Sequence, residues 1–288
     1  MTDWVAGVRL ADLTTMGVGG AAEVLWRPDS LDDLRSGLPA LRSAALPVTI
    51  LGGGSNLLVR DGGVSGVVLK LGRGFGEVVV RDTEVTCGAA VGMHALVGMT
   101  RRLGTSGLEW ATGLPGTVGG ALIGNAGAAG MTMLDRVISI DLVDWAGQVH
   151  HIDRDALTAG YRSCGLPVTG VVVSVTLRLV SSLPDAVAAE CRRIFGRRRA
   201  TQPLGEASAG CIFRNPAGQS AGALIDRVRL KGVSIGGARI SPRHANFIVN
   251  QGGASCADVL ALMTLIQRRV WRTAAVALEP EVKVIGSA

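Results

Sequence analysis

Apolar residues recur at helical spacing in three parts of the chain. After Ser30, which can cap a helix, leucines fall on one face as far as Pro39, where we expect the helix to end or kink. A second helix is predicted over 93–103. Near the C-terminus, Ser255 and Asp258 resemble a capping arrangement that opens a helix with the apolar positions Val259, Leu262, Ile266 and Val270.

Shorter apolar runs predict strands over 48–51, 57–59, 67–71, 171–179 and 281–285. Alternation at Ile138, Ile140 and Leu142 predicts a hairpin that turns over 145–148. From Pro184 the pattern changes to a helix that ends in an arginine triplet, which indicates a domain boundary near residues 180–200. The chain is therefore expected to be α+β, with a smaller α+β unit in its second half.

Glycine is the unusual component of the composition. The 288 residues include 41 glycines, whereas aromatic residues make up only 3% of the chain and hydrophobic residues 48%. Loops and close backbone approaches must therefore carry much of the architecture. A chain of this length is also large enough for two or three packed units and for a core that holds a cofactor.

Charge and cysteine content bear on partners and compartment. A formal net charge of +6 suits nucleic acid, a membrane surface or an acidic small molecule, and the basic residues are scattered, as on solvated helix faces. The five cysteines are far apart and lack C-x-x-C spacing, which indicates a reduced, cytoplasmic setting. No signal-peptide pattern is evident. His150 and His151 are adjacent and would point to opposite faces of a strand, so we expect no metal site.

A glycine turn directly follows the strand predicted over 48–51. Gly52, Gly53 and Gly54 have no Cβ to keep an anion away from consecutive backbone N–H groups, and Ser55 and Asn56 add side-chain donors. We expect phosphate to be the ligand, although the spacing of the glycines matches neither the G-x-G-x-x-G fingerprint nor a Walker loop. Taken alone, the segment fits an ordinary tight turn equally well.

A second glycine cluster lies within the uncharged stretch 111–134. This stretch is long enough to cross a membrane, but its glycines and proline would leave backbone groups unsatisfied in lipid, so we expect a buried glycine-rich loop against a ligand. Two such segments suit a long bent ligand with a central pyrophosphate, and the alternative is a glycine crossing without a ligand. The candidate contacts are Pro115, Gly116, Thr117, Gly119, Gly120, Asn125 and Gly127.

The order of these and further motifs resembles the UDP-N-acetylenolpyruvoylglucosamine reductase (MurB) family, in its shorter form. The similarity covers nearly the whole chain and is carried by 15–20, 51–58, 107–109, 113–127, 160–163, 213–216, 224–226, 230–232, 244–250 and 279–286. It implies a VAO/PCMH-type FAD-binding fold over 1–182, with subdomains of about 1–72 and 73–182. An α+β substrate-binding domain over 183–288 would follow.

The resemblance also implies bound FAD, with Leu57 among its contacts, and NADPH as reductant. In that family NADPH reduces the flavin, and UDP-N-acetylglucosamine enolpyruvate then accepts a hydride from the flavin and a proton from the protein. Arg162 corresponds to the catalytic arginine, whose planar cation suits a carboxylate that becomes an enolate. Glu281 corresponds to the glutamate that polarises this intermediate. The alternatives are a structural salt bridge for Arg162 and an edge-strand charge for Glu281.

Cys211 departs from the family pattern, in which a serine usually precedes a Phe-Lys-Asn-Pro segment. A thiol, with a reference pKa of about 8.5, can still donate a proton, although a thiolate formed too readily could not. The alternative is an inert cysteine in a decayed site. Ala223 and Ala129 replace a common lysine and a common tyrosine, so the substrate contacts are less defined than the catalytic ones. The available candidates are Tyr161, Arg214, Asn215 and Arg229.

Two other functions fit part of the sequence. Another FAD-dependent oxidoreductase of the superfamily would keep both glycine segments but lose the second-half motifs, which are largely present. A catalytically decayed nucleotide-sugar or nucleic-acid-binding relative is favoured by Cys211, Ala223 and the positive charge, and would lack a flavin spectrum. The sequence favours the reductase, as a monomer or weak homodimer that acts on a small nucleotide sugar without a nucleic-acid or membrane partner.

Overall fold

The computed structural model describes residues 3–288, which form two compact units. Within the described residues, unit 1 comprises 3–5, Leu25–Gly53 and Gly66–Arg197. Unit 2 comprises Ala6–Val24, Gly54–Ser65 and Arg198–Ala288. The division passes through the first glycine segment, between Gly53 and Gly54. The boundaries at 72 and 182, which follow from the family resemblance, remain predictions.

The helices within 3–288 are α1 Leu31–Ser43, α2 Met93–Leu103, α3 Val118–Ile123, α4 Pro184–Thr201, α5 Ala221–Arg227 and α6 Cys256–Ala274. Ser30 and Ser255 form capping boxes at α1 and α6, as predicted, and α2 has its predicted bounds. We expected α1 to end or kink at Pro39. The helix does not end there, since it continues to Ser43. Proline removes only one helical hydrogen bond, and leucines on both sides of it remain buried.

The strands are β1 Asp3–Arg9, β2 Ala21–Arg27, β3 Val48–Ile50, β4 Leu57–Val59, β5 Val64–Leu69, β6 Val78–Arg81, β7 Glu84–Gly88, β8 Thr105–Ser106, β9 Gly127–Ala128, β10 Met131–Thr132, β11 Val137–Asp144, β12 Val149–Asp153, β13 Thr158–Gly160, β14 Ser163–Gly165, β15 Gly170–Arg178, β16 Val180–Ser181, β17 Ala207–Cys211, β18 Ser234–Ile235, β19 Ala238–Ile240, β20 Phe247–Asn250 and β21 Lys283–Ile285. Strand β4 has its predicted bounds. The C-terminal strand is shorter than predicted.

An antiparallel sheet in the order β12-β11-β15-β7-β6 forms the framework of unit 1. Strand β15 is buried on both faces, because Val175 and Leu177 belong to one apolar cluster while Val171 and Val173 belong to another. The predicted hairpin is present as β11 and β12. Its alternation is interrupted by two register shifts in the β11–β15 pairing, and Ile138 is only half-buried.

The stretch 111–134 is more ordered than the loop predicted for it, because the short helix α3 lies inside it. Thr117 caps α3 by accepting a hydrogen bond from Gly120 N at 3.4 Å. None of the helices described over 3–288 is long and apolar enough to span a membrane.

Unit 2 is built on a sheet in the order β17-β20-β19-β18, whose core includes buried side chains of α5 and α6. The C-terminal strand β21 pairs in parallel with β4, so Lys283 lies opposite Leu57. Residues at the end of the chain are thereby brought beside the segment that follows the first glycine turn.

A carboxylate from a distant loop completes the N-terminus of α6. Asp61 accepts hydrogen bonds from Cys256 N at 2.8 Å and Ala257 N at 3.0 Å, while Ser255 Oγ accepts one from Asp258 N at 3.0 Å. Three successive first-turn N–H groups, which no intrahelical carbonyl can reach, are therefore satisfied. The negative charge of Asp61 also suits the positive end of the helix dipole.

We predict that Asp61→Ala lowers the free energy of unfolding by about 0.5–2 kcal/mol, because two N–H groups at the helix N-terminus lose their capping acceptor and water replaces it only in part. Urea unfolding measures this change. Asp155 is exposed, and its alanine variant should change the unfolding free energy by less than about 0.5 kcal/mol. An unchanged denaturation midpoint for Asp61→Ala would show that this cap contributes nothing.

Candidate functional site

The two glycine segments meet inside unit 1. A Cβ added to Gly53 would lie 2.5 Å from the Cα of Gly116, and one added to Gly52 would lie 2.9 Å from Thr117 Oγ1. Such separations are shorter than real Cβ contacts, so no larger residue fits at Gly53 without displacing backbone. The two glycine segments are thus in contact between Gly52–Gly53 and Gly116–Thr117, while their shared ligand remains a prediction.

Several backbone donors at this contact have no acceptor in the protein. Among residues 3–288, the N–H groups of Gly52, Gly53, Gly116 and Thr117 donate no hydrogen bond. The Gly119 N–H, in contrast, donates to Ala89 O at 3.0 Å. Unpaired backbone donors in a partly buried region need another partner, and oxygen atoms of a pyrophosphate match this donor set. The residues present therefore fit FAD.

Lys70, which was not among the site residues predicted from the sequence, supports the first glycine segment. Its Nζ donates to Gly52 O at 2.6 Å. Burial, together with the charge of Arg27, holds the pKa of Lys70 below its ordinary value. The sequence signal that could have identified Lys70 is its position directly after the buried run Val67–Leu69, because a charged group beside a strand core needs a specific partner.

The hairpin of β13 and β14 carries Tyr161 and Arg162 in a two-residue turn. Arg162 has a φ of 57°, its Nη1 donates to Gly127 O at 3.0 Å, and its guanidinium carbon lies 5.5 Å from the centre of the Tyr161 ring. Buried Asn125 joins the hairpin by donating from Nδ2 to Gly160 O at 3.1 Å. The structure thus brings Arg162 to the end of the second glycine segment.

In unit 2, Cys211 and Glu281 lie on neighbouring segments. Glu281 N donates to Ile212 O at 2.7 Å, and Arg214 N donates to Glu279 O at 2.9 Å. Both Cys211 and Glu281 are half-buried. Asn56 Nδ2 also donates to Glu281 O, at 3.2 Å. The backbone segments that carry these two predicted catalytic residues are therefore adjacent, although they are distant in sequence.

Arginines surround this part of unit 2. The Nε of Arg214 is buried and has no hydrogen-bond partner among the described residues, and its Nη1 lies 4.0 Å from Glu279 Oε2. Arg198 was expected to lie on a solvated helix face. It is instead half-buried, close to Cys211. Burial lowers the pKa of Arg198, and the electrostatic effect of Cys211 opposes that shift. The site therefore carries positive charge beside the thiol.

The other predicted substrate residues have less defined positions. Asn215 Oδ1 accepts a hydrogen bond from Ala221 N at 3.0 Å, so it orders the start of α5. Arg229 is exposed, with a φ of 55°. Within 3–288, no three His, Cys, Asp or Glu side chains are grouped to hold a metal ion.

Two family models match separate parts of the chain. A model described as "FAD binding domain" matches residues 22–153, and one described as "UDP-N-acetylenolpyruvoylglucosamine reductase, C-terminal domain" matches residues 202–285. The reductase of Anoxybacillus flavithermus is 40% identical over 280 residues, which cover 96% of this chain and 93% of that protein. The reductase of Geobacter metallireducens is 41% identical over 277 residues, which cover 96% and 92%.

A solved structure of MurB from Thermus caldophilus is similar throughout. Its TM-score is 0.84 at 38% sequence identity, and the match covers 99% of this chain and 98% of that one. The predicted α+β, FAD-binding fold is thereby confirmed. Since the similarity includes both glycine segments and the segments of Cys211 and Glu281, the chain belongs to the UDP-N-acetylenolpyruvoylglucosamine reductase family.

Proposed function

We propose that this protein uses NADPH to reduce UDP-N-acetylglucosamine enolpyruvate to UDP-N-acetylmuramate, a step in peptidoglycan precursor synthesis. Membership of the family supports this reaction. The structural observation that carries the proposal is the contact of two glycine segments around unpaired backbone donors. Oxidation of NADPH, followed at the nicotinamide absorbance band with and without the enolpyruvyl substrate, tests it. A decayed relative would oxidise no NADPH in response to that substrate.

FAD is the cofactor that these residues would hold. When bound, it supplies the hydride transfer from NADPH to the substrate. The N–H groups of Gly52, Gly53, Gly116 and Thr117 would bind the pyrophosphate, and the Lys70 ammonium would add positive charge at the first segment. Those donors belong to rigid backbone, so they can bind the anion without being reorganised.

The substrate needs a binding group for its carboxylate and a proton for the carbon that does not receive hydride. We assign the carboxylate to Arg162, whose guanidinium is oriented by Gly127 O and Tyr161. Cys211 Sγ is assigned as the proton donor, and Glu281 polarises the developing enolate. Arg214, with its unpaired buried Nε, is suited to anionic groups of the nucleotide sugar.

The wider role is proposed from the family and the composition. We infer a cytoplasmic enzyme that acts as a monomer or weak homodimer, without nucleic-acid or membrane partners. Its product would serve cell-wall biogenesis, and through it cell shape and division. The scattered arginines and the absence of C-x-x-C spacing support this assignment.

We predict that Gly53→Val weakens FAD binding, because the added side chain would displace the Gly116 backbone and move apart the N–H groups proposed to bind the pyrophosphate. FAD retention by the purified protein, read from flavin absorbance per chain, measures this effect. Gly196→Ala is the matched control, since a Cβ at Gly196 meets nothing within 4 Å. Equal retention by Gly53→Val and the parent would contradict the assignment of this segment to FAD.

We predict that Cys211→Ala leaves flavin reduction by NADPH intact but slows reaction with the enolpyruvyl substrate by about 10²–10⁴-fold, the range for loss of a positioned acid. Cys211→Ser should retain substantial activity, because a hydroxyl can also donate a proton. Stopped-flow absorbance separates the two half-reactions. If the alanine variant matches the parent in both, Cys211 is not the donor.

A further inference from the structure

Asn246 is a buried polar residue that no predicted role uses. Asn246 is only 2% exposed. It makes three hydrogen bonds to two consecutive residues beyond Cys211. Ile212 N donates to Asn246 O at 2.9 Å, Phe213 N donates to Asn246 Oδ1 at 3.0 Å, and Asn246 Nδ2 donates to Phe213 O at 2.8 Å. The amide therefore pairs with Phe213 as a neighbouring strand would.

This pairing occurs where the regular ladder between β17 and β20 is broken. Ser208 is opposite Val249, but the next paired residue, Cys211, is opposite Phe247, with a register shift between them. Gly210 in this interval has a φ of 77°. Such bulges change the direction of the side chains that follow. The bulge sets the direction of Cys211, and Asn246 fixes the backbone immediately after it.

The opposite edge of the same segment holds the glutamate. Glu281 N donates to Ile212 O at 2.7 Å, and Phe213 forms an isolated bridge with Pro280. The backbone of Ile212 and Phe213 thus lies between Asn246 on one side and residues 280–281 on the other. A displacement of Phe213 would move both Cys211 and Glu281.

We propose that Asn246 is a positioning residue for the proton-donating end of the site. Its amide fixes the Phe213 backbone and, through it, the relative placement of Cys211 Sγ and the Glu281 carboxylate. The inference rests on the proposed roles of those two residues. Asparagine is specifically suited, because Phe213 presents one donor and one acceptor, and only an amide matches both at this length. A carboxylate would keep the bond from Phe213 N but repel Phe213 O.

The test is Asn246→Asp, which preserves size and one of the two side-chain hydrogen bonds. We expect the variant to retain FAD and to be reduced by NADPH within about twofold of the parent. Its reaction with the enolpyruvyl substrate should be about 10–100-fold slower, since small misplacements of reacting groups have effects of that order. Stopped-flow absorbance gives both rates. Equal slowing of both half-reactions, or of neither, would overturn the proposal.

Asn250→Asp is the matched control, at the far end of β20, the strand that Asn246 precedes. Asn250 Nδ2 donates to Met16 O at 3.1 Å, and its Oδ1 accepts from Gly252 N at 2.9 Å, so its side chain is bonded similarly but not to Cys211, Ile212 or Phe213. This variant should lose thermal stability but keep both rates. If it slows the substrate reaction as strongly as Asn246→Asp, general weakening of the sheet explains the result and positioning by Asn246 is refuted.

Two further measurements separate the possible failures. Cys211→Ala is assayed in parallel: if it is slow while Asn246→Asp is normal, only the positioning role fails, and if Cys211→Ala is normal, the proposed donor fails. Should Asn246→Asp not fold, hydrogen exchange on the parent decides. The Ile212 and Phe213 amides should then exchange as slowly as those of β20, and fast exchange would overturn the proposal.

Discussion

The site depends on the contact between the backbones of Gly53 and Gly116. At this separation no side chain fits at Gly53, so the polar groups that Gly53 presents there are peptide groups. Neighbouring bonds fix the second segment, because Met93 N donates to Gly116 O at 3.0 Å and Val118 N to Val91 O at 2.8 Å. The Gly116 carbonyl is therefore engaged while the N–H groups of Gly116 and Thr117 donate no hydrogen bond among the described residues. An anionic ligand would supply the missing acceptors.

Unit 2 applies a comparable constraint to reactive side chains. The backbone after Cys211 is hydrogen-bonded on one side to Asn246 and on the other to residues 279–281. Arg198 adds positive charge near the thiol, and Arg214 presents an unpaired donor. The chemistry assigned to Cys211 and Glu281 therefore rests on a doubly paired backbone segment rather than on a flexible loop. Such support holds side chains in a productive geometry without reorganisation.

Features with local causes were predictable from the sequence. Ser30 and Ser255 cap helices through residues only three positions away, and the glycine turn after β3 was evident from the order of residues that follow the strand. The roles of Arg162, Cys211 and Glu281 came from family resemblance, since periodicity identifies no such chemistry. Contacts distant in sequence were missed. The bonds of Lys70 to Gly52 and of Asn246 to Phe213 depend on packing, as does the helix that continues through Pro39.

Hydrogen exchange of the backbone amides, measured on the protein stripped of FAD and again after reloading, tests the central claim most directly. If the unpaired donors of the two glycine segments bind the pyrophosphate, FAD should slow exchange most strongly in peptides that cover 51–55 and 114–121. Strong protection elsewhere, with both of these segments exchanging equally fast in the two states, would contradict the account.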